Sequence, residues 1–87
     1  MILRNHGLLS CGRTIPEAFS RLWTLQRACD VQVAATSIPG ETIHYDEAIV
    51  EQSRKAMADY SDSTTSGNDV FNAMQRIVDA KDPSYRS

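Results

Sequence analysis

The fold of this 87-residue chain is decided by residues 14–35, TIPEAFSRLWTLQRACDVQVAA. Thr14 and Glu17 match a capping box, in which Thr14 accepts from the Glu17 amide and the Glu17 carboxylate reaches back to Thr14. Pro16 stands in the first turn, where its missing N–H costs nothing. The spacing of the apolar residues predicts a helix from about Ile15 to about Ala35. Its apolar stripe consists of Ile15, Ala18, Phe19, Leu22, Leu25, Cys29 and Val33, widened by Trp23.

Two short apolar runs precede this helix. Ile2 and Leu3 stand before the turn Asn5-His6-Gly7, and Leu8 and Leu9 follow it. This pattern predicts a β-hairpin over residues 1–12, with His6 at its tip. A strand pair this short needs further strands beside it, and the chain supplies none.

Two shorter helices are predicted after the turn signal Ile38-Pro39-Gly40. The first covers about residues 46–59, and the second about residues 69–80, with a polar loop over 61–69 between them. We expect their inward faces to consist of Ile49, Val50, Ser53 and Met57, and of Val70, Phe71, Met74, Ile77 and Val78. The fold class is therefore a mostly helical α+β fragment, with a hairpin followed by one long and two shorter helices.

Composition excludes several classes of protein. The net charge of −2 does not match the excess of basic residues that is typical of a nucleic-acid-binding protein. No apolar run approaches the length of a membrane span. The N-terminus does not match a signal peptide, and Cys11 and Cys29 are too few and too far apart for a disulfide framework or a CxxC metal site. We therefore expect a cytoplasmic protein with no nucleic-acid or membrane partner.

The apolar content indicates a segment that needs a partner. Leu, Ile, Val and Phe number 18 of 87 residues, close to the level of about 20% at which independent folding becomes doubtful. Residues 1–36 carry a net charge of +2 and residues 37–87 a net charge of −4. The missing cover would come from a further part of its own chain or from another subunit.

His6 is the residue with the strongest chemical claim. Imidazole is a common zinc ligand, but a catalytic zinc takes three protein ligands. His44 is the only other histidine, so the chain cannot complete that set. The alternative is that His6 bonds a backbone carbonyl and shapes the turn.

Two further groups of residues have a structural and a functional interpretation. Cys29 lies within the apolar stripe and reads as a small buried hydrophobe rather than a nucleophile. Four arginines could form a phosphate-binding face or belong to the solvated surface: Arg4, Arg13, Arg21 and Arg27.

Several of these motifs together resemble the C-terminal part of the class II aldolase/adducin family. The resemblance is carried by residues 2–9 (ILRNHGLL), 12–14 (GRT), 17–19 (EAF) and 27–35 (RACDVQVAA), with Leu25, and by residues 82–86 (DPSYR). It implies a central antiparallel sheet flanked by helices in a homo-oligomer, with active sites between subunits. Residues 1–87 would be the C-terminal portion of such a domain.

The family's chemistry implies a role for His6. Family members hold a divalent metal, usually zinc, through a His-X-His pair and a third histidine in the Asn-His-Gly turn, which corresponds to His6. The metal stabilises an enediolate as a Lewis acid. The resemblance thus implies a metal-dependent aldolase-type lyase acting on a small, phosphorylated hydroxy-carbonyl substrate.

The remaining parts of the family's active site lie upstream in its members. These are the His-X-His pair, the catalytic carboxylate and the phosphate-binding loops, so we expect this chain to be inactive alone. Met1 then falls within a family strand, which predicts a truncated gene, a misassigned start or a fragment. Residues 17–19, 25–26, 28–29 and 31–34 also resemble adducin, a non-catalytic assembly protein. His6 does not discriminate between the two branches.

Overall fold

A two-stranded hairpin followed by three helices makes up the described part of the chain. The computed structural model describes residues 1–60, 63 and 65–86. Its elements are β1 (Ile2–Leu3), β2 (Gly7–Leu8), α1 (Ile15–Thr36), α2 (Glu47–Tyr60), α3 (Asn68–Lys81) and a 3-10 turn at Pro83–Arg86. The predicted fold class is confirmed. Residues 61, 62 and 64 of the predicted polar loop lie outside the described residues.

The hairpin is antiparallel and short. Ile2 pairs with Leu8, and Leu3 pairs with Gly7. Its ladder is extended by one residue at the open end, where the Met1 ammonium donates to the Leu9 carbonyl and the Leu9 N–H donates to the Met1 carbonyl, both at 2.9 Å. Among the described residues these are the only two strands, so both outer edges of the hairpin are unpaired.

The N-terminus of α1 confirms half of the predicted capping box. The Thr14 hydroxyl accepts from the Glu17 N–H at 3.2 Å, and Pro16 occupies the first turn. The Glu17 carboxylate, however, accepts from the Arg13 N–H at 2.6 Å rather than from Thr14. The reason is that the segment before the helix folds back on its first turn, which brings the Arg13 N–H to the carboxylate.

The packing between α1 and α3 centres on two aromatic rings. The Phe19 and Phe71 rings meet edge to face, with their centroids 5.5 Å apart. This geometry suits the quadrupoles of two aromatic rings. Residues Val70, Phe71 and Met74 are half-buried on the inward face of α3.

The apolar stripes predicted to form a core are otherwise uncovered. No apolar side chain among the described residues is buried; the one buried residue there is Glu17. Ile15 and Val33 lie at opposite ends of the α1 stripe and are 75% and 70% exposed. Ile77 and Val78 are each about half exposed, but they line an apolar groove together with Phe19 of α1 and Tyr85 of the 3-10 turn. They therefore lie on the inward side of α3, as predicted, without being buried.

Helix α2 stands apart from the rest of the fold. Among the described residues, its backbone comes close to no other helix or strand, and its predicted inward residues Ile49, Val50 and Met57 are exposed. Met57 lines an open groove of about 660 Å³ together with Leu25 of α1 and Val70 of α3. The apolar side of α2 thus faces these helices in part, but the burial predicted for it is not observed. None of the helices in the described ranges is both long enough and apolar enough to span a membrane.

Candidate metal-ligand turn and its support on α1

His6 is the last residue of the turn that joins the two strands. Its N–H donates to the Leu3 carbonyl at 3.2 Å, which closes a β-turn over Leu3–His6. Asn5 occupies the third position of this turn with a φ of 63°, a left-handed conformation that asparagine tolerates. Gly7 follows with a φ of 104°, which favours glycine. The turn therefore depends on the residue types that flank His6.

The His6 side chain is exposed at the end of the hairpin. An exposed imidazole on a hydrogen-bonded turn can approach a metal ion from one side without a change of the backbone. In the alternative interpretation, His6 bonds a backbone carbonyl and shapes the turn. The main-chain N–H of His6 makes this bond, and the imidazole is not needed for it. The imidazole remains available for a ligand role.

The described residues do not bring a complete set of metal ligands together. Within residues 1–60, 63 and 65–86, no group of three His, Cys, Asp or Glu residues could hold a metal ion. His44 lies in the irregular segment between α1 and α2 and is exposed. A metal at His6 therefore needs further ligands from outside this part of the chain.

The hairpin is fixed to α1 by the segment of residues 10–13. The Ser10 hydroxyl donates to the Ala18 carbonyl at 2.9 Å, and the Arg21 guanidinium donates to the Cys11 carbonyl at 2.8 Å. Gly12 lies so close to the helix that an added Cβ would stand 2.5 Å from the Ala18 nitrogen. The first turn of α1 thus serves as the support on which the hairpin, and with it His6, is held.

Glu17 is the centre of this support. Its side chain is only 3% exposed and pairs with the Arg21 guanidinium at 2.8 Å and with the Arg13 guanidinium at 3.4 Å. The pKa of Glu17 is lowered, first because the Arg13 N–H donates to the carboxylate and then because both guanidinium groups lie beside it. The carboxylate is therefore ionised at neutral pH, and its acceptor sites are filled, which suits a structural role better than proton transfer.

The sequence pattern predicts Glu17 as part of the helix cap but does not predict its cluster with Arg13 and Arg21. A signal was present for one of the two pairs, because Glu17 and Arg21 are four residues apart within α1 and such residues are neighbours on a helix face. Arg13 precedes the helix, so this spacing rule does not apply to it. The ion pairs also bear on the prediction that four arginines form a phosphate-binding face. Arg13 and Arg21 are engaged by Glu17, and Arg27 pairs with Asp30 at 3.1 Å and lies over the Trp23 ring.

Cys29 and Cys11 are both free thiols. Cys29 is half-buried in α1, and Cys11 is exposed beside the support segment. The partial burial of Cys29 agrees with the interpretation of a small apolar side chain.

Comparison with known proteins connects this turn and helix to one family. The family model described as "Class II Aldolase and Adducin N-terminal domain" matches residues 1–33, which hold the hairpin and most of α1. A protein of Pseudomonas aeruginosa named "putative aldolase class 2 protein" is 42% identical over 88 residues. That match covers 99% of this chain but 34% of the relative.

Adducins match a shorter part of the chain. Rat beta-adducin is 50% identical over 42 residues, which cover 48% of this chain and 6% of the relative. Human beta-adducin is 48% identical over 40 residues. No solved structure matches the chain. The chain thus spans about a third of the putative class 2 aldolase and a small part of each adducin, and these matches relate it to the class II aldolase and adducin family.

Proposed function

We propose that this chain is the part of a class II aldolase-type domain that supplies His6 as one ligand of a divalent metal, with zinc the expected ion. The complete domain would be a metal-dependent aldolase-type lyase acting on a small, phosphorylated hydroxy-carbonyl compound, as a homo-oligomer in the cytoplasm. The observation that carries this proposal is the 42% identity to the putative class 2 aldolase along 99% of the chain. The exposed imidazole on its constrained turn supports it.

The chain by itself is expected to be inactive. The described residues offer His6 without two companions, and Glu17, the buried carboxylate, is occupied by Arg13 and Arg21. The described residues do not by themselves fit a metal ion, and no catalytic step can be derived from them.

The experiment that tests the ligand role is a chimera. The 88 residues of the Pseudomonas relative that match this chain are replaced by the chain, and bound zinc is measured in the purified chimera and its His6→Ala variant. Loss of one of three ligands should lower bound zinc at least about tenfold. His44→Ala is the matched control, because His44 is exposed in the irregular segment and should leave the zinc content unchanged.

Equal zinc content in the chimera and in His6→Ala would contradict the ligand assignment. Aldol cleavage of phosphorylated hydroxy-carbonyl compounds is measured on the same samples. A chimera that binds zinc through His6 but cleaves none of them would remove the lyase proposal and keep the metal site.

An adducin-like assembly domain without catalysis is the second candidate. The observation in its favour is the local identity of 50% to rat beta-adducin, which is higher than the identity to the bacterial relative. That match covers 48% of the chain, whereas the bacterial match covers 99% of it and so includes α2 and α3. A His-X-His pair in the sequence that precedes this segment would decide for the metalloenzyme.

A further inference from the structure

We propose that the groove between α1, α2 and α3 is a binding site for an organic carboxylate with an apolar body. We call it the α2 groove; the described residues that line it include Arg21, Leu25, Arg54, Met57 and Val70. Its volume of about 660 Å³ lies within the range of roughly 300–1,000 Å³ that is usual for small-ligand sites. The proposal does not depend on the metal role of the hairpin turn or on lyase activity.

The apolar part of the ligand would lie between the three helices. Leu25 of α1, Met57 of α2 and Val70 of α3 border the groove. Leu25 and Val70 are half-buried, and Met57 is 60% exposed. Because the backbone of α2 comes close to no other described element, open space remains between these side chains. An apolar body in that space would remove apolar surface from water on both walls, which favours binding.

The charged groups of the α2 groove fit an anion. Arg21 of α1 and Arg54 of α2 both border it, and Glu17 is the one carboxylate among the described residues that line it. The Glu17 side chain is only 3% exposed and pairs with Arg21 at 2.8 Å, whereas the two arginine side chains are 49% and 68% exposed. A ligand that enters from solvent therefore meets two guanidinium groups before it meets the carboxylate.

Both guanidinium groups can still donate to a ligand, since each has five N–H donors in a planar fork. Arg54 donates to Glu51 at 2.8 and 2.7 Å. Arg21 donates to Glu17 and to the Cys11 carbonyl, each at 2.8 Å. Within the described part of the chain, this leaves donors on both arginines. The paired bonds of Arg54 also show the fork geometry that matches a planar carboxylate, and a ligand carboxylate held by both arginines would join α2 to α1.

The α2 groove lies on the side of α1 that faces away from the hairpin turn. The positions of α1 that border it form one stripe, at 17, 20, 21, 24, 25 and 28. Gly7, which follows His6 in the turn, borders another groove together with Phe19, Leu22 and Trp23. At about 100° per residue, the centres of these two stripes are half a turn apart. Binding in the α2 groove and metal binding at His6 can therefore be measured independently.

The test is a titration of the full 87-residue chain with octanoate, followed by the carbon-13 methyl resonances of its three methionines. Met57 borders the α2 groove, whereas Met1 and Met74 each border a different groove. We expect a saturable shift of the Met57 resonance and no shift of the other two. Octanol has the same chain without the charge and should bind at least about tenfold more weakly, because it forms no charge-assisted hydrogen bond. Inorganic phosphate, which has no apolar body, should not shift the Met57 resonance.

Two variants locate the charged contact. Arg54→Gln removes a guanidinium group from the α2 groove and should weaken octanoate binding at least about fivefold. Lys55→Gln is the matched control, because it removes the same charge from the next residue, whose side chain is 70% exposed and is not among the described residues that line the groove. Its effect should stay within about twofold, since water and salt screen an exposed charge. Glutamine is a good helix former, so both variants keep α2.

Several outcomes would overturn the proposal. They are a Met57 resonance that does not shift or does not saturate, equal shifts of all three methionines, octanol binding as tight as octanoate binding, and equal losses in Arg54→Gln and Lys55→Gln. A Met57 shift with inorganic phosphate alone would also overturn it, because the site would then take a plain anion. Because the titration contains no metal and measures no activity, its failure would leave the His6 proposal intact. A chimera without His6-dependent zinc would likewise leave this inference standing.

Discussion

The two carboxylates Glu17 and Glu51 differ in what they hold together. Each pairs with an arginine, Glu17 with Arg21 at 2.8 Å and Glu51 with Arg54 at 2.7 Å, and each has a lowered pKa because of hydrogen bonds from arginine. The Glu17 side chain is 3% exposed, and the cluster around it joins the hairpin segment to α1. The Glu51 side chain is 47% exposed, and its pairs remain within α2.

This difference shows which contacts define the fold. Exposed ion pairs within one helix contribute little to stability, so the pairs of Glu51 do not fix α2 in place. The bonds of Glu17, Ser10 and Arg21 cross from one element to another and determine the orientation of the hairpin. Residues 1–33, which match the family model, thus contain the polar contacts that fix the hairpin on α1, whereas α3 packs on α1 through the Phe19 and Phe71 rings.

The largest expected effect is that of Glu17→Gln, which removes the ion pairs that hold residues 10–13 on α1. We call this contact the Glu17 joint. The neutral amide no longer balances two guanidinium groups, and the Arg13 N–H loses its charged acceptor. We expect hydrogen-exchange protection of the amides in residues 9–18 to fall to that of a flexible segment. Glu51→Gln is the matched control and should change protection only within α2. Equal and small effects of the two substitutions would remove the distinction between the regions.

The close approach at Gly12 should give the next largest effect. In Gly12→Ala the new methyl group meets the Ala18 backbone, and overpacking of this kind costs about 1–3 kcal/mol. Urea titrations of the local exchange of residues 9–18 would measure it. Gly7→Ala meets no atom within 4 Å and carries only the strain of its positive φ. Unchanged exchange in Gly12→Ala would show that the segment does not rest on the helix.

The pH dependence of the Glu17 joint follows from the direction of the Glu17 pKa shift, which is downward. A carboxyl group with a lowered pKa in the folded state stabilises that state fully above its ordinary pKa of about 4.3. The contribution is lost as the pH falls through the lower folded-state pKa. Protection of residues 9–18 should therefore be constant from pH 7 to about pH 5 and decline in more acidic solution. In Glu17→Gln this decline should be absent, whereas Glu51→Gln should retain it.

Local sequence rules predicted the elements but not what covers them. The cap at Thr14 and the apolar spacing predicted α1 to within a residue or two of Ile15–Thr36, because both signals act within one helix. The burial of Ile49, Val50 and Met57 was predicted from the same spacing and is not observed. An apolar stripe indicates a face that can be buried, but burial also requires a neighbouring element, which periodicity does not report.

The same distinction applies to the candidate site, where contacts between neighbours along the chain could be predicted and contacts with distant residues could not. The turn around His6 follows from Asn5 and Gly7, so its geometry could be predicted from three adjacent residues. The pair of Glu17 with Arg21 could have been predicted from their four-residue spacing within α1, whereas Arg13 precedes the helix and its contact with Glu17 could not. The companions of His6 could not be predicted from this sequence, since a metal site is completed by residues that are close in space and distant along the chain.

The smallest expected effect belongs to α2. Met57→Ser replaces a side chain that is 60% exposed on a helix whose backbone comes close to no other described element, although the side chain borders the open groove that α2 shares with α1. Surface substitutions of this kind change stability by less than about 0.5 kcal/mol, so hydrogen exchange in residues 1–36 should be unchanged. Phe71→Ser is the contrasting variant, because Phe71 contacts Phe19. If Met57→Ser reduced protection in α1, α2 would have to contact α1 in solution. Both regions would then make contacts between elements, and they would differ only in how strong those contacts are.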